Sequence, residues 1–194
     1  MSAVPQRFSP LQRLLHWSMA AAILAMLFIG VGMVSTVSPR YWTLVSIHRP
    51  LGIAILVLVV LRVGVRLRHG APPLPADLPH WQKLGAKASH LALYGLMIAM
   101  PLVGWGMQSA GGYPIVLFRG VQLPPILPHN DALYGMFHIA HVWLAYLLFV
   151  TFLAHLAAAL FHGLIRRDGV FTSMAPTLAT SGYSIAAERL VQKE

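Results

Sequence analysis

Four long apolar runs, at residues 14–34, 44–67, 88–107 and 133–164, constrain this chain more than any other feature. A helix needs about 20 apolar residues to cross the hydrocarbon core of a bilayer, and each run meets that length. The last has residues to spare for tilt or protrusion. Lipid offers no partner to backbone polar groups, so spans of this kind must bond internally. The expected fold is therefore all-α, an integral membrane four-helix bundle. Composition agrees: 57% of residues are hydrophobic, 10% are charged and the mean hydropathy is +0.68, too apolar for a domain with a water-facing surface.

Breaker-rich connections separate the runs. Residues 35–43 hold Pro39, residues 69–80 hold Pro72, Pro73, Pro75 and Pro79, and the third connection holds Gly111, Gly112, Pro114, Pro124, Pro125 and Pro128. The first run ends without a small-residue cleavage site and reads as a retained helix rather than a signal peptide. Residues 1–170 are expected to form one transmembrane domain and residues 171–194 a polar cytoplasmic tail, with a short amphipathic helix near 185–191.

The 14 Lys and Arg outnumber the 5 Asp and Glu. That excess suits nucleic acid binding only where it forms one patch, and here the basic residues flank apolar runs. Arg7, Arg13, Arg66, Arg68, Lys83, Lys87, Arg166, Arg167, Arg189 and Lys193 fall on one side, with Arg40, Arg49 and Arg119 on the other. Basic loops are retained in the cytoplasm, so both termini are expected there, and the chain is expected to be a multi-pass protein of a bacterial inner membrane.

Ten histidines are many for so apolar a chain, and ionisable groups inside a membrane are functional candidates by default. His141 and His155 are fourteen residues apart on the fourth run. That spacing is about 21 Å of helix rise and roughly 40° short of four turns, so they share a face at two depths. His48, opening the second run, is level with His141 on the outer side. His16, early in the first, is level with His155 on the inner side. Paired neutral imidazoles suit two b-type haem irons, each six-coordinate and fitted to electron transfer rather than oxygen binding.

Other positions repeat the interval of fourteen. Gly30 follows His16, and Gly104 follows His90, by that spacing, so each glycine is expected to allow close approach at the opposite depth. Arg62 lies fourteen residues after His48 and is expected to face the inner haem, where a guanidinium suits a propionate; Arg49 is its outer counterpart. His90 and His162, both on the inner side, could each replace His16 as ligand, bond a propionate or line a quinone pocket. His69, His80, His129 and His138 read as interfacial polar residues. Trp17, Trp42, Trp81, Trp105 and Trp143 read mostly as an aromatic belt, and the span methionines as packing.

Cysteine is absent, which excludes disulfides, thiolate metal sites, cysteine-bound iron–sulfur clusters and thioether-linked haem. The spans hold almost no Asp or Glu, which weighs against a haem-free proton or metal transporter.

Taken together, Leu15-His16-Trp17, His48, the stretch Lys87-Ala88-Ser89-His90-Leu91-Ala92-Leu93-Tyr94-Gly95 and His155-Leu156-Ala157-Ala158-Ala159 resemble the bacterial cytochrome b561 family of small di-haem membrane proteins. The resemblance implies haem b ligated from helices one, two and four: His16 with His155 inside, His48 with His141 outside. It also implies electron exchange with ubiquinone. One branch of that family oxidises superoxide on the outer face, and the Lys87 to Tyr94 stretch is closer to a sister branch. The expected function is transmembrane electron transfer through two haems linked to the ubiquinone pool. The alternatives are a superoxide oxidase, with Arg40, Arg49 and Arg119 drawing in the anion, and a haem-bearing anchor subunit of a larger dehydrogenase or hydrogenase. A homodimer is compatible with each.

Overall fold

The computed structural model describes residues 7–117 and 120–176. The expected 185–191 helix, Arg119, Arg189, Lys193 and most of the polar tail lie outside the described residues. The elements are α1 (Pro10–Val34), α2 (Arg40–His69), α3 (His80–Ala110), α4 (Asp131–Leu160), a π-helical stretch Phe161–Arg166 that continues α4, and the short α5 (Val170–Met174). Each of the four long helices is long and apolar enough to cross a membrane.

Each long helix begins before its apolar run, α1 and α2 by four residues, α3 by eight and α4 by two. Hydropathy reports only the turns that meet lipid, whereas the helix continues through polar turns such as Gln82, Lys83 and Lys87 of α3. One expectation changes as a result. His48 does not open its helix, because α2 starts at Arg40 and places His48 in the third turn.

Local chemistry sets several ends. Ser9 caps α1 by accepting from the Gln12 N–H at 3.3 Å, and the Gln12 side chain accepts from the Ser9 N–H at 3.0 Å, a reciprocal capping box followed by Pro10 in the first turn. The buried Gln12 amide also donates to the Gly70 carbonyl at 2.8 Å, tying the start of α1 to the end of α2. Gly70, at φ 66° and ψ −158°, ends α2 in a conformation that only glycine adopts easily. Asn130 caps α4 through the Leu133 N–H at 3.0 Å, and Asp131 adds negative charge in the first turn.

The packed core lies among α1, α2 and α3, where Met19, Ile23, Ile55, Val59 and Met97 form one cluster. Val59 at its centre is wholly buried. The helices pack in sequence, α1 on α2, α2 on α3 and α3 on α4. α4 contributes only Leu148 to the buried set and packs its backbone closely on α3 alone among the other three spans. It meets α1 and α2 across side chains, and those side chains are histidines.

Both ends of the bundle are covered by folded connections. On the outer side the α3–α4 loop turns back on itself, with Leu117 N–H donating to the Val121 carbonyl at 2.7 Å and Leu123 N–H to that of Ile115 at 3.0 Å. Trp105 and Ser109 anchor it, through the Pro124 carbonyl at 3.0 Å and the Ile126 N–H at 3.1 Å. On the inner side, residues 172–175 lie along the start of α1. Arg7 donates to the Thr172 carbonyl at 3.0 Å, Trp17 to that of Met174 at 3.0 Å and Arg13 to that of Ala175 at 3.4 Å.

Candidate functional site

Two of the three histidines of α4, His141 and His155, meet rings on other helices. His141 meets His48 of α2, with ring centres 6.1 Å apart and planes at 62°. His155 meets His16 of α1 at 6.3 Å and 66°. A metal bound on opposite sides by imidazole nitrogens at about 2 Å leaves the ring centres about 6 Å apart, so both pairs have the span of a bis-imidazole site. The donor set fits as well: neutral nitrogen ligands with no competing acid. The buried Nδ1 atoms of His48 and His141 have no hydrogen-bond partner among the described residues, an arrangement that packed protein rarely tolerates.

The two depths differ in what surrounds the pair. Outside, Gly104 of α3 brings its backbone against His141, and a Cβ there would lie 3.3 Å from the His141 Cε1. Gly30 has nothing within 4 Å of such a Cβ, so the histidine–glycine interval acquires a packing role on α3 only. Arg49 donates to the Pro114 carbonyl at 3.3 Å, which holds it to the base of the outer loop.

Inside, the pair becomes a group of three. His90 of α3 stands 5.5 Å from His155, ring centre to ring centre, nearer than His16 does. Arg62 of α2 reaches this group through Tyr94, one turn beyond His90 on α3. Its Nε donates to the Tyr94 hydroxyl at 3.1 Å, and its guanidinium carbon lies 5.8 Å from the centre of that ring. The described residues hold no cluster able to cage a bare metal ion by three or more histidine or carboxylate side chains. Paired donors facing each other are the feature present.

His162 does not join the inner group. Its Nδ1 contacts the Asp168 carboxylate at 2.7 Å, Arg166 Nε meets the same oxygen at 2.8 Å, and Arg166 reaches Asp77 at 2.5 Å. Burial alone would push the Asp168 carboxyl up, but the His162 hydrogen bond, the Val170 N–H and the nearby Arg166 charge together hold it below the usual carboxylate range. Of the histidines read as interfacial, His129 bonds the Ala110 carbonyl at 2.9 Å and His69 that of Val65 at 3.0 Å. His138 lies beside Tyr134.

Sequence reasoning missed Tyr94 and Asp168. Tyr94 had a usable signal, because it lies four residues after His90 and therefore on the same face of α3. Asp168 had none, since its partner lies across the turn that leaves the membrane.

Residues 7–177 match the family described as prokaryotic cytochrome b561. The chain belongs to that family. Among curated relatives, cytochrome b561 homolog 2 of Escherichia coli (strain K12) is 31% identical over 173 residues, covering 88% of this chain and 92% of the relative. Cytochrome b561 homolog 1 of the same organism is 28% identical over 178 residues, with 88% and 97% covered. A probable superoxide oxidase CybB of Yersinia pestis is 30% identical over 173 residues, with 88% and 97% covered. Family and helices together make this a multi-pass bacterial membrane cytochrome, a b-type haem protein of membrane electron transfer.

Proposed function

We propose that the chain moves electrons across the bilayer between two bis-histidine b-type haems, His48 with His141 holding the outer and His16 with His155 the inner, and exchanges them with the ubiquinone pool. One observation carries this reading: a single helix, α4, presents two histidines about 21 Å apart along its rise, His141 facing His48 at 6.1 Å and His155 facing His16 at 6.3 Å, with His90 also beside His155 at 5.5 Å. Bound there, haem supplies reversible one-electron exchange at iron. The protein residues do the rest. Two imidazoles per site would hold a haem iron without leaving a position for oxygen, and transfer would then be outer-sphere. α4 fixes the spacing, and the α1–α2–α3 core insulates one flank.

The basic side, with Arg7, Arg13, Arg66, Arg68, Lys83, Lys87, Arg166 and Arg167, is cytoplasmic in this reading, and both termini with it. Quinone is placed at the inner end, near His90 and His162. Asp168 holds Nδ1 of His162, so Nε2 is the nitrogen that would meet a substrate oxygen. Anaerobic mixing of the oxidised protein in lipid nanodiscs with a ubiquinol analogue should reduce haem within the mixing experiment, and His162→Ala should slow that phase at least tenfold. Haem that stays oxidised would remove the quinone assignment.

Likeness to the probable superoxide oxidase supports a second reading. Arg40 and Arg49 make the described outer side cationic, which would draw a small anion toward the outer pair. Under this reading, superoxide generated enzymatically should be consumed with ubiquinone as acceptor at a rate that falls steeply with added salt. A rate no faster than spontaneous dismutation excludes it.

A further inference from the structure

Arg62 is a cation within a membrane-spanning helix, and no described carboxylate pairs with it. A charge at that depth is costly unless something fixes and compensates it. The guanidinium carries five N–H donors. Among the described residues only the Tyr94 hydroxyl takes one of them, at 3.1 Å, while the Tyr94 ring lies under the charge at 5.8 Å. Tyr94 therefore contacts Arg62 twice, once by its oxygen and once by its ring face. The same tyrosine sits one turn beyond His90 on α3 and packs against the buried Met19–Val59–Met97 cluster, so its position is set by the core. Through Tyr94, Arg62 stands one turn from His90, whose ring faces His155 at 5.5 Å, and it lies fourteen residues along α2 from His48.

We infer that Tyr94 is a positioning residue that pins the Arg62 guanidinium as the counter-charge of the inner haem, giving that haem a higher reduction potential than it would otherwise have. This rests on the two-haem reading above. The sign follows from charge: oxidised iron carries one more positive charge than reduced iron, so a fixed cation nearby disfavours the oxidised form, and low dielectric strengthens the effect. The remaining guanidinium donors suit a carboxylate, and a haem propionate would be of the right chemistry. At the outer pair the nearby cation is Arg49, next to His48 in sequence, and it is held by the Pro114 carbonyl of the outer loop at 3.3 Å rather than by a tyrosine in the core.

The test is a spectroelectrochemical titration of the full-length protein in nanodiscs, as wild type, Arg62→Gln, Arg62→Lys and Tyr94→Phe, with the inner haem identified as the one lost in His155→Ala. Arg62→Gln should move the inner midpoint to lower potential and leave the outer one in place. Tyr94→Phe should move the same midpoint in the same direction by less, and Arg62→Lys should restore part of the loss. Should Arg62→Gln fail to assemble, Tyr94→Phe and Arg62→Lys decide alone. Two haems with unmoved midpoints in Tyr94→Phe, or equal shifts in both haems, would overturn the inference. Fewer than two haems in the wild type would instead overturn the reading beneath it.

Discussion

The outer and inner halves of the bundle use the same pair of residues in different surroundings. The outer pair, His48 and His141, is met by the bare backbone of Gly104 and closed over by a loop anchored through Trp105 and Ser109. The inner pair, His16 and His155, is joined by His90 and by a tyrosine-held arginine, with residues 172–175 strapped along the start of α1. In the outer half one cation, Arg49, lies next to His48 in sequence and is tied to the loop. In the inner half the protein supplies a cation held by a core tyrosine, and a third ring, the equipment for adjusting potential and meeting a proton-carrying partner. Two histidine pairs of the same kind thus differ through their neighbours.

The sharpest way to break this comparison is to remove one ligand from α4. His141→Ala should lose the outer haem and His155→Ala the inner one, each retaining about half of the wild-type haem absorbance per protein. Equal loss of both in each variant would show that the halves do not fill independently. Next comes the third ring. His16→Ala should lose the inner haem, whereas His90→Ala should keep both haems and change only the inner site's spectrum or potential; the opposite pattern would make His90 the ligand.

Gly104→Val probes the outer half alone. Its added atoms meet His141 at a distance already tighter than ordinary contact, so it should cost about 1–3 kcal/mol and weaken the outer haem selectively. Thermal release of haem followed at each site's own band measures this.

The smallest effect concerns the inner strap. Because Asp168 is held below the ordinary carboxylate range, its contribution is fully present above about pH 4 and is lost as pH falls through its lower folded-state value. Amide exchange in residues 167–175 should therefore accelerate below about pH 4, and Asp168→Asn should show the fast exchange already at neutral pH, with about 1–2 kcal/mol of local stability gone. Unchanged exchange in Asp168→Asn would show that the carboxylate does not hold the strap.

Much of this was legible in the sequence, for a local reason. Span positions follow from runs of apolar residues, and the depth pairing of His16 with His155 and His48 with His141 follows from helix rise alone, which needs no knowledge of packing. Helix ends were less legible: α2 and α3 extend through polar turns that hydropathy does not score, which is why His48 lies inside its helix. The place of His90 beside His155 depends on how α3 is rotated against α4, and spacing within one helix does not set rotation between two. Tyr94 with Arg62, and His162 with Asp168, are contacts of that second kind, between elements or across a turn.

The central claim is tested most directly by the reduced-minus-oxidised visible spectrum of the purified protein, with haem quantified against protein. The account predicts two b-type haems per chain, both low-spin and unresponsive to carbon monoxide because every axial position is taken by histidine. A single haem, or a high-spin species that binds carbon monoxide, would contradict it.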